Sequence, residues 1–461
     1  MRLPRSTRCC ARTSRRRSPP CIPTTGARWP KGGLPPEEIR WTNQAVGTRY
    51  LVVPNIYPVL FDAHASFSRL ATDLGPRDAP TRTSAIDNLH LDLRTQVFGD
   101  QVDWNVGTSL RRITLDNELG GLYQNIENRR NRFVHWGIYA EPEFRRGHFH
   151  IQPSVRAQFF DSRFYPFIEP RLRVVWERGL QQVSGAAGFY QQGVIGLSDR
   201  RDAASIFTAW TSVARPSENV EDVSEGRIQR ALHFILGYRA TPAAWLEVSI
   251  EGYYRRLLNI YIAEWTAFPR FTTRLQPASG RSFGFDVRAE VRRGIFYGYV
   301  TYGLASTRYE AEQATIQLWY GTETLGFRPP HDRRHQVNTL GSISTLGFDL
   351  SVRWEFGSGL PFSRALGFDG FALVDDVTDA SQFEASRRVI YEEPFNGLLP
   401  TYHRLDVSVE RMFSMGHAEV TVQGSIINVY NRRNLFYLDV FTQRRVDQLP
   451  LVPSLGVKIA F

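Results

Sequence analysis

The sequence predicts an all-β protein, a transmembrane antiparallel up-and-down β-barrel of about sixteen strands. Three observations predict it. Apolar and polar residues alternate along nearly the whole body, tight connections alternate with long ones, and no apolar run approaches the roughly 20 residues of a membrane helix. The slightly negative mean hydropathy fits as well, because a wall with one lipid-facing and one water-facing side averages to modest hydrophilicity.

Taken in chain order, the first clear alternation sets Val102, Trp104 and Val106 against Asp103, Asn105 and Gly107. Phe149, Ile151, Val155, Ala157 and Phe159 then oppose His150, Gln152, Ser154, Arg156 and Gln158. Phe283, Phe285, Val287, Ala289 and Val291 oppose Gly284, Asp286, Arg288, Glu290 and Arg292, and Phe348 to Phe356 repeats the pattern against Asp349, Ser351, Arg353 and Glu355. Leu405, Val407 and Val409 follow, then Val420 and Val422, and the final strand sets Leu455, Val457, Ile459 and Phe461 against Ser454, Gly456, Lys458 and Ala460. A soluble sandwich also alternates, but its apolar face meets a shared core. A barrel in lipid inverts this, apolar outside and polar inside.

The connections favour the barrel. Tight turns are expected at Gly99-Asp100, Arg146-Gly147, Gly179-Leu180, Thr241-Pro242, Arg293-Gly294, Leu346-Gly347 and Ser414 to Gly416. Longer segments lie near 69–87, 115–132, 160–170, 192–229, 257–280, 307–335, 357–402 and 429–451. The count of about sixteen runs from Val59 onward, and an even number places both barrel ends, with the N-terminal segment, on the short-turn side. Trp104, Trp136, Trp176, Trp245, Trp354 and Tyr402 suit an interfacial girdle.

The formal charge of +10 is concentrated in residues 1–40, which carry ten basic residues against Glu37 and Glu38. That segment is rich in Arg, Pro, Ser and Thr, which points to a disordered stretch over 1–45 ahead of a barrel domain over 46–461. It holds no apolar stretch of a secretion signal, so the reading here is a mis-called start. The body is nearly neutral, with dispersed arginines beside Asp and Glu, which argues against nucleic-acid binding. Cys9, Cys10 and Cys21 are the only cysteines, so the body has no disulfide or thiolate metal site.

The C-terminal residues carry a resemblance. Asn428-Val429-Tyr430-Asn431, the final alternating strand ending in Phe461, and Phe327 to Gln336 resemble the end of the barrel of TonB-dependent outer-membrane receptors. The resemblance implies an outer-membrane location. It also implies uptake of a scarce ligand of the siderophore, cobalamin or glycan class, and a barrel-assembly signal in Leu455, Val457, Ile459 and Phe461. Such receptors hold a plug inside a barrel of about 22 strands, so this chain matches a C-terminal barrel portion, or an incomplete 22-stranded barrel, with plug and TonB box missing. The implied partners are outer-membrane lipid and lipopolysaccharide, the barrel-assembly machinery, and the TonB complex where a plug and TonB box exist upstream. A passive porin-like channel and a non-functional receptor fragment are the alternatives.

No nucleophile elbow, phosphate loop, zinc spacing or triad is present, so no catalytic residue, metal or cofactor is expected and the protein is not read as an enzyme. The His331-Asp332-Arg333-Arg334-His335 cluster follows two prolines and reads as a solvated loop end, and His148 with His150 as a lumen-facing pair. Ligand recognition is expected in the outer loops, where aromatic rings sit beside guanidinium groups: Trp265, Arg270 and Arg274 in one, Trp319, Tyr320 and Arg328 in another.

Overall fold

A chain that pairs every strand with its sequence neighbour needs only hairpins, and that is how the alternating segments are assembled. The computed structural model describes residues 24–26, 39–75, 82–118, 130–160, 166–198, 208–212, 228–263, 275–312, 321–371, 386–416, 418–439 and 444–460. Its wall runs through β1 (Ile39–Val52), β2 (Val59–Leu74), β3 (Arg82–Val97), β4 (Val102–Glu118), β5 (Asn131–Arg146) and β6 (Phe149–Phe160). It continues through β7 (Phe167–Arg178), β8 (Gln181–Gln192), β9 (Gln229–Ala243), β10 (Leu246–Ala263), β11 (Leu275–Arg293) and β12 (Phe296–Glu312). It ends with β13 (His335–Thr345), β14 (Phe348–Gly357), β15 (Tyr402–Met415), β16 (Ala418–Ile427) and β17 (Val452–Ala460). Each pairs antiparallel with the next. Two short strands, Thr24–Gly26 on β1 and Thr324–Phe327 on β12, complete a 19-stranded sheet.

The apolar side chains point away from any core. Leu91, Leu110, Val300, Leu350 and Val457 are exposed, and Leu236 shows 66% of its surface, far beyond what water tolerates over so wide an area. Their alternate neighbours form the other face, which carries ion pairs between strand residues: Arg288 and Arg292 with Glu290, Arg353 with Glu355, and Arg404 with Asp406. This is an inside-out distribution, the one a barrel in hydrocarbon requires. On β4 the outward series Trp104, Val106, Thr108 and Leu110 gives way to Arg112, Thr114, Asp116 and Glu118, so the upper part of the strand stands clear of lipid. The buried core lies on the inner face at that upper end, in clusters around Phe133 and Leu115, around Phe160 and Phe167, and around Ala311 and Phe327.

The short connections fall where turn chemistry places them. Leu346 and Gly347 take φ of 54° and 76°, the paired left-handed conformation that closes a two-residue hairpin with the twist of its strands. The turn expected at Thr241-Pro242 is instead Ala244-Trp245, and the register slips between Ala240 and Ala243. Proline has no N–H to give the ladder, and a bulge is where a strand tolerates that loss.

Among the described residues sixteen wall strands run from Val59, as expected, but a seventeenth precedes them. β1 begins inside the stretch 1–45 and pairs with β2 from Ile39 to Val52. It descends toward the short turns, so the chain enters the wall from the long-connection side, opposite to the expectation for an even number. With seventeen strands, β1 and β17 run parallel to each other. Among the described residues no pairing joins them, and all of β17 after Val452 is exposed. Two further placements differ. Tyr402 faces inward, its hydroxyl donating to Glu355 Oε2 at 3.1 Å, so it belongs to no lipid girdle. His148 sits in a turn rather than beside His150, which meets Glu143 Oε1 at 3.3 Å.

The two-faced wall makes a direct prediction. Leu91→Arg, on the outward face of β3, should cost about 2–4 kcal/mol of folding free energy in lipid vesicles, whereas Ser66→Arg on the inner face of β2 should be near neutral. Urea titration of the folded, heat-modifiable band measures both. A cysteine at Arg40, in a background with Cys9, Cys10 and Cys21 replaced, should react with an impermeant maleimide from the side opposite to one at Gly179.

Candidate functional site

The loop residues singled out from sequence are only partly visible. Trp265, Arg270, Arg274, Trp319 and Tyr320 lie outside the described residues, as does Phe461. Leu455, Val457 and Ile459 line the outward face of β17, the exposed edge strand. Arg328 is engaged within its own loop: its Nε donates to Asp332 Oδ2 at 2.7 Å.

The described residues converge elsewhere, on the inner face of β1 to β8. There a cleft of about 620 Å³ is lined by Asn88 and His90 of β3, Ser109, Arg111 and Ile113 of β4, His135 and Gly137 of β5, Arg156 and Phe160 of β6, and Arg171 of β7. Its roof comes from the connection between β8 and β9, where strands Val194–Ser198 and Thr208–Ser212 form a hairpin that bends inward. Trp210 and Val194 of that hairpin pack against Ile113, Leu115 and Phe133. A polar clamp fixes it: Ser84 Oγ donates to Asn117 Oδ1 at 2.7 Å, and Asn117 Nδ2 donates to the Trp210 carbonyl at 2.6 Å.

Two guanidinium groups in the cleft are seated by different means. Arg171 donates to Glu169 Oε2 at 2.7 Å and lies 4.5 Å from the Tyr190 ring centroid, while Glu169, almost fully buried, also accepts from the Gln191 backbone N–H at 2.8 Å. That arginine is neutralised and held. Arg156 donates to Ser109 Oγ at 2.7 Å and lies across the α-carbon of Gly137, where a Cβ would come within 3.1 Å of its Nη2. The missing side chain at Gly137 is what gives Arg156 its seat. No local signal announces this cleft, because its residues come from eight wall strands and the hairpin above them; counting basic against acidic residues on the inner face alone would have pointed to it.

Two corners of the long connections are built around buried polar residues. Asp332 is buried, accepts from Arg328 and from the Thr307 backbone N–H at 2.8 Å, and pins the turn after the fully buried Pro329 onto β12. The cluster expected to be a solvated loop end is thus a packed corner at Asp332, although His331 and His335 keep exposed surface. His331 Nε2 lies 3.4 Å from the Tyr309 hydroxyl, and the protein crowding the ring lowers its pKa from 6.5, an effect that Asp332 partly opposes. Among the described residues no group of His, Cys, Asp and Glu has the geometry of a metal site.

The second corner is Asn428-Val429-Tyr430-Asn431. Asn428, fully buried with φ of 54°, donates through Nδ2 to the carbonyls of Arg432 and Leu449 at 2.9 and 3.0 Å and accepts from the Arg432 N–H at 3.0 Å. Asn431, with φ of 52°, accepts from the Leu451 N–H at 3.0 Å. Asparagine tolerates the left-handed region and carries both donor and acceptor, which explains the residue type at both positions.

Solved structures share this architecture. The chain aligns with the FrpB iron transporter from Neisseria meningitidis at 12% identity and a TM-score of 0.59, covering 91% of this chain and 63% of that one. It aligns with the ferric-catecholate import receptor Fiu of E. coli K12 at 10% identity and 0.60, covering 91% and 64%. A third alignment, with the outer membrane transporter YddB from Escherichia coli, has 9% identity and 0.56, covering 95% and 65%. The fold is the outer-membrane β-barrel of these structures. The chain spans less than two thirds of the length of these three proteins. No family model and no curated protein matches its sequence.

The Asp332 corner gives two predictions. Asp332→Ala leaves Arg328 without its carboxylate and should cost about 3–5 kcal/mol, read as a lower urea midpoint. His331 should titrate below 6.5 by NMR. Because its folded pKa is lowered, its contribution to stability is complete above the ordinary imidazole pKa and is lost as pH falls through the folded value.

Proposed function

We propose that this chain forms the wall of an outer-membrane receptor-type barrel that takes up a scarce ligand. The observation that carries this reading is the inverted wall together with a ligand-sized cleft on its wet side, roofed by an inward-folded connection. A lipid-facing exterior places the protein in a membrane, and a polar inner face gives a solute somewhere to dwell on its way across. Siderophore, cobalamin and glycan remain the ligand classes. Two of the similar structures are an iron transporter and a ferric-catecholate import receptor, which weights the first.

The work is binding and translocation, not bond-making. Lipid and lipopolysaccharide would meet the outward face and the barrel-assembly machinery the strand Leu455, Val457, Ile459. Energy coupling through the TonB complex would need a plug and TonB box joined to this wall. Trp265, Arg270 and Arg274, with Trp319, Tyr320 and Arg328, stay in the proposal as outer-loop contacts.

Uptake of ⁵⁵Fe-labelled ferric catecholate and ferric citrate by iron-starved cells tests the reading. Cells with the intact gene should accumulate label, cells lacking it should not, and a protonophore should stop the accumulation. Label that enters unaffected by the protonophore, in proportion to external concentration, would turn the assignment to a passive channel.

A further inference from the structure

Elsewhere on the inner face, several guanidinium groups are answered by carboxylates. Arg49 makes two hydrogen bonds to Asp62, at 2.8 and 2.7 Å, and Arg288, Arg353 and Arg404 pair with Glu290, Glu355 and Asp406. The cleft under the Trp210 hairpin departs from this. Its lining contains Arg111, Arg156 and Arg171, with His90 and His135, and neither aspartate nor glutamate. Arg171 has Glu169. Among the described residues Arg111 and Arg156 make no ion pair, and Asp92, cross-strand from Ser109 on the same face, pairs with neither. Both arginines project into one recess from β4 and β6, the strands on either side of β5. Two like charges held there without a counter-charge repel each other, and a bound anion removes that cost.

Unmet hydrogen-bonding groups point the same way. Arg156 Nε and Arg171 Nε are buried donors without a partner among the described residues, and the Asn88 side-chain amide has a buried end in the same state. Buried polar atoms are rarely left so. Against this polar floor stands an apolar side, with Phe160 and Ile113 almost wholly buried and Trp210 above them. The volume suits a small organic molecule rather than a polymer.

We propose that the cleft binds a small organic anion with at least two acidic oxygen groups, read by Arg111 and Arg156, and a flat apolar body lying between Phe160 and Trp210. Asn88 meets a hydroxyl or amine of the same ligand, and Arg171, fixed by Glu169 and Tyr190, offers its free Nε at the edge. The assignment deepens the uptake reading by naming the charge class of the solute.

The test uses the full chain folded in detergent micelles, with benzene-1,3,5-tricarboxylate as probe and benzene-1,3,5-tricarboxamide as its neutral equal in shape. Calorimetry should show saturable one-to-one binding of the acid, weakening as salt is raised, and none of the amide. Arg111→Gln and Arg156→Gln should each weaken it about tenfold or more. Ser109→Asp keeps both arginines but supplies Arg156 with an internal carboxylate, and should abolish binding while the folded band stays heat-modifiable. Equal binding of acid and amide, unchanged affinity in both glutamine variants, or no saturable binding at all would overturn the site. A chain that binds the acid through these arginines yet supports no uptake keeps the site and loses the uptake reading; uptake without such binding does the reverse.

Discussion

Hydrocarbon offers no partner to a backbone N–H or C=O, so a chain that crosses it as strands must pair each one with another strand. The antiparallel ladder meets that demand hairpin by hairpin from β1 to β17, save along the facing edges of those two strands, which no pairing joins among the described residues. Once the ladder is laid down, the side chains have no freedom left: every second one faces lipid and the others face the interior. Outward residues such as Leu236 are therefore apolar for the same reason that inward ones such as Glu290 and Glu355 are not. Pro242, which cannot donate, sits where the register slips, so its missing N–H falls where the ladder already yields.

The same ladder dictates where specificity resides. Outward positions are committed to lipid, and several inward positions hold arginine–carboxylate pairs such as Arg288–Glu290, Arg353–Glu355 and Arg404–Asp406. Variation is left to the upper inner face, where connections can fold in and bury surface. Three apolar clusters and the Asp332 and Asn428 corners occupy that zone, and so does the cleft under Trp210. Each is anchored by groups that cannot turn away: Asn117 to the Trp210 carbonyl, Asp332 to Arg328 and the backbone of Thr307, Asn428 to Arg432 and Leu449.

Much of the wall was legible in the sequence because period two survives wherever one face meets lipid. The strands from Val59 and most tight turns follow from it. β1 was not legible, and its residues show why: outward Arg40, Thr42 and Gln44 are polar while inward Trp41, Ala45 and Leu51 are not, so the alternation is blurred just where composition also shifts. Tyr402 was assigned to lipid because aromatic residues at strand ends suit that role, but its register opposite Gly357 puts it inside with Glu355. The cleft was hidden for a different reason. Arg111 and Arg156 lie on strands separated by β5 and share no local motif, and only the seat opened by Gly137 brings the second guanidinium to Ser109. Loop arginines looked more available from sequence, yet Arg328 is spoken for by a buried aspartate that no spacing rule reveals.

The change of character along the outer side of β4 has a consequence for where such a wall can live. From Val102 to Leu110 the largely apolar stretch measures about 27 Å along the strand, and Arg112 stands directly above it. A thick, sterol-stiffened bilayer would draw that guanidinium and its neighbours Asp116 and Glu118 into oil, or would have to pinch itself thin around the protein. A leaflet pair of modest depth would accept the wall as it stands, so the vertical placement of one arginine doubles as a gauge of membrane thickness.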